Sequence, residues 1–482
     1  IVPTAEIREV DTFLEPRYHN VSAFMQDTWR IQPKVTLTYG MRWEVNPAPS
    51  EANGNQVVTV QGLDNFRTAS LAPADSRLYR TQYANFAPRV GIAIQPFSSL
   101  STVLRGGFGV FYDLGYAFVG TAFTPSNYPF SRSAIYSGIR IDDSRLQGNA
   151  GPLNTNPPYP RLFAYTNDYQ LPYTRQFSIA IEQPLGTTNS IEVSYVGAAA
   201  RRLPRVESLR PQALQNPLFT RIDFVNNEGY SDYHSLQAEF KRRFSKGLQA
   251  LLAYTWSKSL DTASDESISN LQLSAQQVNI DLDRGYSAFD IRHTFTGTAS
   301  YEIPAWSQNR ALRAVFGGFA IDSMVRLRTA LPVNVVTNRD SLGLGLTNVA
   351  RPDYVTGQPL YLYGDGYPGG RIFNRAAFDA ATPLAQGRQG TLGRNTLRGF
   401  GLSQVDFSLR RHFRFAESLG LQFRADFFNV FNTPNFANPL GALTSGNFGR
   451  STRTLNAALG GLNSQFQIGG PRSVQLALKL EF

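Results

Sequence analysis

Cysteine does not occur anywhere in the 482 residues. Its absence excludes a disulfide-stapled scaffold and any thiolate metal site. Long apolar runs are missing too; nothing approaches the roughly 20 consecutive apolar residues of a membrane-spanning helix. Charge is scarce, with Asp, Glu, Lys and Arg at 17% against about 25% in an ordinary soluble domain. The four histidines, His19, His234, His293 and His412, fall one to a segment with no HExxH, which leaves a zinc hydrolase without support. Walker A, Rossmann and GxSxG fingerprints are absent, as are RRM, KH and OB patterns. Nucleotide chemistry, acyl transfer and nucleic-acid binding therefore have no motif behind them, and no cofactor is expected.

What is present is aromatic and glycine-rich: Phe 34, Tyr 22 and Gly 40. Mean hydropathy is −0.25, a soluble-looking value. A strand that alternates apolar and polar residues averages to such a value even when one face meets lipid. The net charge is +10. A positive excess can mark attraction to anionic partners such as nucleic acid or lipopolysaccharide. Here the basic residues are isolated or in short pairs, such as Arg201-Arg202 and Arg242-Arg243. They read as arginines spread over loops and a polar interior.

The dominant signal is period-two alternation. At the C-terminus Val474, Leu476, Leu478, Leu480 and Phe482 share one face, and Gln475, Lys479 and Glu481 the other. Leu37, Tyr39, Met41 and Trp43 oppose Thr36, Thr38, Arg42 and Glu44. Val405, Phe407 and Leu409 oppose Gln404, Asp406, Ser408 and Arg410, and Phe423, Ala425 and Phe427 oppose Arg424 and Asp426.

Connections between these runs alternate in length. Short turns are expected at 31–34, 95–101, 184–188, 245–247, 304–310 and 414–418. Long polar loops are expected at 46–84, 113–171, 198–231, 259–289, 338–399 and 433–470. A soluble sandwich has no reason to keep its long loops at one end. A transmembrane barrel has short periplasmic turns and long extracellular loops. The fold expected is therefore all-β: an antiparallel, up-and-down transmembrane barrel spanning 1–482, with about thirteen strands. The first strand lies near 18–31 and runs down from an extracellular start. Bacterial single-chain barrels have even strand numbers, so further strands are expected upstream, along with the missing signal peptide. An open or abnormally closed barrel with an exposed first edge follows.

Five segments in order carry a family resemblance: YHNVSAFMQDTWR at 18–30, TLTYGMRWE at 36–44, NFAPRVG at 85–91, LRGGFGVFYD at 104–113 and FRADFFNVFN at 423–432. With the terminal Phe482, they resemble the barrel of TonB-dependent outer-membrane transporters, especially the Oar-like group. The resemblance implies a barrel of about 22 strands, closed around an N-terminal plug and energised through a TonB box. This sequence would then be the C-terminal portion, partnered by outer-membrane lipid and lipopolysaccharide, an unknown solute and, through the absent region, the TonB complex. The terminal aromatic is implied as the signal read by the barrel-assembly machinery; it also suits a periplasmic aromatic girdle.

The alternation puts a set of ions on the inward face: Arg42, Glu44, Arg105, Glu182, Arg292, Asp322, Arg326, Arg328, Asp406, Arg410, Arg424 and Asp426. As a set they suit a solute path or, by the resemblance, a plug-docking surface; singly they suit a solvated lumen. Aromatics gather toward strand ends, at Trp43, Phe111, Tyr112, Tyr254, Trp256, Tyr301, Trp306, Phe413 and Phe415, as interfacial girdles do. Asp261, Asp265, Glu266, Asp281 and Asp283 make one loop acidic. They lack EF-hand spacing, so a solvated loop is favoured over a Ca²⁺ site. The function implied is energy-coupled uptake of a bulky, scarce solute such as a chelate, oligosaccharide or peptide. A passive porin or surface adhesin is the alternative, and a rim hydrolase a third with no residue trio to support it.

Overall fold

The computed structural model describes residues 2–482 apart from 11, 56, 98–100, 115–118, 125–126, 141, 149–154, 210–214, 265–279, 305–308, 310–311, 313–316, 340–349, 415–418 and 461–467. Thirteen strands form a continuous path: β1 Val21–Gln32, β2 Val35–Val45, β3 Asn85–Ile94, β4 Val103–Tyr112, β5 Tyr173–Leu185, β6 Asn189–Leu209, β7 Ile222–Ser245, β8 Leu248–Asp261, β9 His293–Glu302, β10 Phe319–Arg328, β11 Leu402–Arg414, β12 Gly420–Phe428 and β13 Ser473–Glu481. Each pairs antiparallel with its sequence neighbours. The meander sends successive connections to opposite ends, and the longest of them fall at one end. Strand number and loop alternation match the expectation from sequence.

Among the described residues β1 and β13 do not pair, and the sheet keeps two open edges. Apolar side chains stand exposed along both, with Met25 at 75% and Leu478 at 68%. In water this would be an aggregation hazard; on a lipid-facing surface it is the required outer face.

The structure corrects several details. The segment 198–231, expected as a loop, is mostly strand, because β6 and β7 continue well past the length of their neighbours. The alternation was hidden there by the register shifts between Ala200 and Leu203 and between Leu203 and Arg205. Such a bulge interrupts the strict period of two. Gly229 lies against it; a Cβ there would come within 2.7 Å of the Leu203 carbonyl oxygen. Above the bulge the segment Leu162–Tyr165 pairs parallel with the start of β7, a departure from the all-antiparallel expectation. Val2–Val10, which carries no clear alternation, pairs with Ser131–Ile139 inside the expected loop 113–171. The connection expected at 304–310 extends until β10 begins at Phe319.

The apolar cores lie in the long loops, outside the barrel sheet proper. One gathers Leu14, Tyr79, Phe123, Tyr165, Val206 and Val225. A second holds Val60, Leu162, Leu209, Phe219 and Ile222. A third joins Val335, Phe373, Phe378 and Leu397 to Leu443 and Phe448. The loops therefore form a folded cap over one end of the sheet.

Candidate functional site

The pleat of β9 to β13 turns alternate side chains to one face. Asp322 lies opposite Ser300 and Ser408, Met324 opposite Asp406, and Asp426 opposite Ser408 and Gln475. Six sequence candidates meet there as ion pairs: Arg326 with Asp406 at 3.1 Å, Arg410 with Asp322 at 2.9 Å and Arg424 with Asp426 at 2.7 Å. Ser300 donates its hydroxyl to Asp322 at 2.6 Å, and Gln404 donates its amide to Asp406. Five of these ions, together with Gln249 and Lys241, line a cavity of about 710 Å³. Water-exposed pairs of this kind each contribute only about 0.2–1 kcal/mol. Their chemical offering is a dense set of charged donors and acceptors for a polar occupant.

The remaining candidates lie elsewhere. Arg42 pairs with Glu44 and donates to Ser22 at the β1–β2 edge. Arg105 pairs with Glu182 at 2.9 Å between β4 and β5. Arg328 is at the loop end of β10, opposite Thr294 and Leu402. Arg292 precedes β9 at the loop end, its guanidinium 5.7 Å from the centre of the Tyr286 ring. Phe482 is 97% exposed.

The opposite face is apolar and aromatic. Tyr195, Leu236, Tyr254, Trp256, Tyr301 and Leu476 are exposed on it. Of the neighbours Phe111 and Tyr112, Phe111 turns to the polar side, under the Arg89 guanidinium at 4.4 Å. Trp306 and Phe415 lie outside the described residues. Phe177 sits across from Gly197, in space a Cβ would fill. His234 and His293 share hydrogen bonds with the hydroxyls of Tyr195 and Tyr254, at 2.7 and 2.8 Å. His412 lies 3.2 Å from Glu481. These three are thus engaged without a serine, and no group of three metal-binding side chains occurs among the described residues.

The sequence reading missed a second polar cluster, in the cap. The Asp283 carboxylate joins Arg205 at 2.9 Å to Arg351 at 3.1 Å, with side-chain exposures of 5%, 2% and 3%. Arg394 binds Asp261 and the Asp283 carbonyl. Two acids of the acidic loop are therefore buried under arginine, not solvated; Asp265 and Glu266 lie outside the described residues. Glu207, beside Arg205, has its carboxyl pushed up to about 7 by burial, against the pull of that guanidinium. The partners come from three segments far apart in sequence, so no local spacing could reveal them. The motif run at 423–432 has a structural explanation. Asn429 adopts a left-handed backbone and donates its amide to the Thr433 and Gly470 carbonyls. Its N–H reaches Asp406 at 2.9 Å, which ties the top of β12 to both neighbours.

An up-and-down sheet with an apolar outer face, a polar inner face and long loops at one end only defines an outer-membrane β-barrel. The chain belongs to the family described as outer membrane beta barrel domain, whose family model matches residues 2–475. No curated protein matches the chain. Among solved structures, it is similar in fold to the outer membrane transporter YddB from Escherichia coli, at 10% identity and a TM-score of 0.52, covering 96% of this chain and 54% of that one. Weaker likenesses are to the FrpB iron transporter from Neisseria meningitidis (14% identity, TM-score 0.46, 97% and 46% covered) and to FpvA of Pseudomonas aeruginosa bound to pyoverdine (11%, 0.49, 98% and 39%). The chain spans about half the length of these structures or less. Its place is the bacterial outer membrane.

Proposed function

We propose that the chain is the C-terminal part of the barrel of an energy-coupled importer of the TonB-dependent type, taking up a bulky, scarce solute. The observation that carries this reading is the cap. Its loops pack into three apolar cores and are pinned by the Arg205–Asp283–Arg351 pairs, so the outer surface is a preorganised shape suited to selective capture. Below it, the ions around Asp322, Arg326, Asp406, Arg410, Arg424 and Asp426 would face the lumen, with Arg42, Glu44 and Arg105 contributing around its wall. They would meet solute or a plug domain.

A passive porin is the reading to separate from this one. The test is the conductance of the full-length protein in a planar bilayer, followed by solute uptake in cells treated with a protonophore. The importer reading expects no steady open conductance and uptake that stops when the proton gradient collapses. A stable open pore, with uptake that continues, would establish the porin.

A further inference from the structure

The cap is built as two lobes with a polar wedge between them. The first two apolar cores draw on the connections β2–β3 and β4–β5 and on the upper parts of β6 and β7. The third draws on the connections β10–β11 and β12–β13. The wedge is the segment 280–290, which leads into β9. Toward the first lobe, Arg205 holds Asp283 at 2.9 Å, the Tyr230 hydroxyl donates to Asp281 at 2.9 Å, and Arg284 holds Asp232 at 3.1 Å. Toward the second, Arg351 holds Asp283 at 3.1 Å and donates to the Leu282 carbonyl at 2.6 Å. Arg394 donates to the Asp283 carbonyl at 2.7 Å, and Arg398 holds Asp290 at 2.6 Å. Polar contacts of this kind part more readily than an apolar core, because water takes up the separated groups.

Arg205 stands between two acids. Its guanidinium lies 2.9 Å from Asp283 across the seam and 3.6 Å from Glu207, two positions along its own strand. Glu207 is buried and accepts a hydrogen bond from the Asn226 amide at 3.4 Å. The charged groups that face it are Arg205 from β6, Glu228 from β7 and Asp283 from the wedge, with Arg351 of the second lobe behind Asp283. Burial, aided by the two neighbouring acids, pushes its carboxyl up to about 7 against the pull of Arg205. An uncharged Glu207 leaves the guanidinium to Asp283. A charged one competes for the same guanidinium and repels the Asp283 carboxylate, in surroundings with little water to screen either effect. Asp283 keeps Arg351 on its other side, so the parting falls between Arg205 and the wedge.

We propose that Arg205 is the bolt of the cap: ionisation of Glu207 draws its guanidinium back from Asp283, and the wedge leaves with the second lobe, opening the cap over the end of the sheet. The closed form holds the Glu207 proton more tightly than the open one. Closure is therefore complete below the ordinary carboxylate range and is lost as pH rises through about 7. Access to the barrel from outside then responds to external pH. This inference rests on the packing of the cap and not on the transport reading.

The test uses full-length protein in detergent with one spin label on each lobe, at Asp64→Cys and Asp365→Cys, both exposed positions. The distance between the labels is read by pulsed electron resonance across a pH series. The expected result is a single short distance at about pH 5 and a longer one gaining ground above about pH 7. The open-to-closed ratio should rise on the order of fiftyfold by about pH 8.5. Glu207→Gln should keep the short distance throughout, and Asp283→Asn should show the long one at both ends of the series. Glu228→Gln, at an exposed site that leaves Glu207 and Arg205 in place, should move the midpoint to lower pH. A distance that ignores pH in the otherwise unaltered protein would overturn the proposal. So would a pH response that survives Glu207→Gln, or a midpoint unmoved by Glu228→Gln, since either would assign the titration to another group.

Discussion

The barrel sheet and its loop cap solve the burial problem in opposite ways. In the cap, Tyr165, Phe219, Ile222 and Leu397 are buried as in a soluble domain. In the sheet, Leu236, Leu252, Leu476 and Leu478 remain exposed, because their solvent is lipid. Polar groups invert as well. The ions of the sheet face open space as weak pairs, while those of the cap are sealed inside it. One chain thus holds a domain stabilised by water beside one stabilised by a bilayer.

The sharpest way to break this contrast is Asp283→Ala. It would leave Arg205 and Arg351 buried without their shared carboxylate, at a cost of about 3–5 kcal/mol. Limited proteolysis should cut the loops readily while the heat-stable barrel band persists on a gel. Loss of both together would mean that cap and sheet fold as one unit. Next is Leu478→Arg, on the outer face opposite Phe423. In full-length protein folded into vesicles it should cost ~2–4 kcal/mol by urea titration if the position is near the midplane. A negligible cost would invert the assignment of faces.

The third prediction concerns pH and sharpens the account of the cap. The folded-state value of Glu207 is raised to about 7, so the folded cap holds that proton more tightly than the open one. The stability linked to it is complete below the ordinary carboxylate range and is lost as pH rises through about 7. Glu207→Gln should therefore stabilise the cap at pH 8 by roughly 1–2 kcal/mol and do little at pH 4, as read by hydrogen exchange in the loops. An equal effect at both values would exclude titration as the cause. Smallest in stability, though not in cells, is removal of Phe482. With its side chain exposed, detergent-refolded protein should change by no more than about 0.5 kcal/mol. Precursor should nevertheless accumulate in the periplasm if the terminal aromatic is the assembly signal, and normal insertion would leave only a girdle role.

The contrast also explains what the sequence could reveal. The sheet was legible because every strand must present alternate residues to lipid, a constraint written in adjacent positions such as Val474 to Phe482. The cap was not, because Arg205, Asp283 and Arg351 meet across long stretches of chain with no periodic reason to do so. The candidate ions show the same limit within the sheet. Alternation could assign Arg42, Arg105 and Asp406 to one face. It could not say that six of the set would cluster across β10 to β12 while Arg42 and Arg105 stand strands away. Arg292, just outside its strand, escaped the rule. The long β6–β7 hairpin was hidden by its own bulge.

That hairpin has a mechanical consequence. At about 3.3 Å per residue, β6 is roughly 70 Å long, far more than the apolar band of about 25 Å requires. The excess stands above the membrane as a mast to which the cap's first two apolar cores are moored through Val206, Val225, Leu209 and Ile222. A pull on the cap along this axis loads the rungs between β6 and β7 in shear, many at once, so that no single rung bears the strain. The bulge at Ala200–Arg205 is the joint at the foot of the mast, where the cap can lean without tearing the wall beneath it.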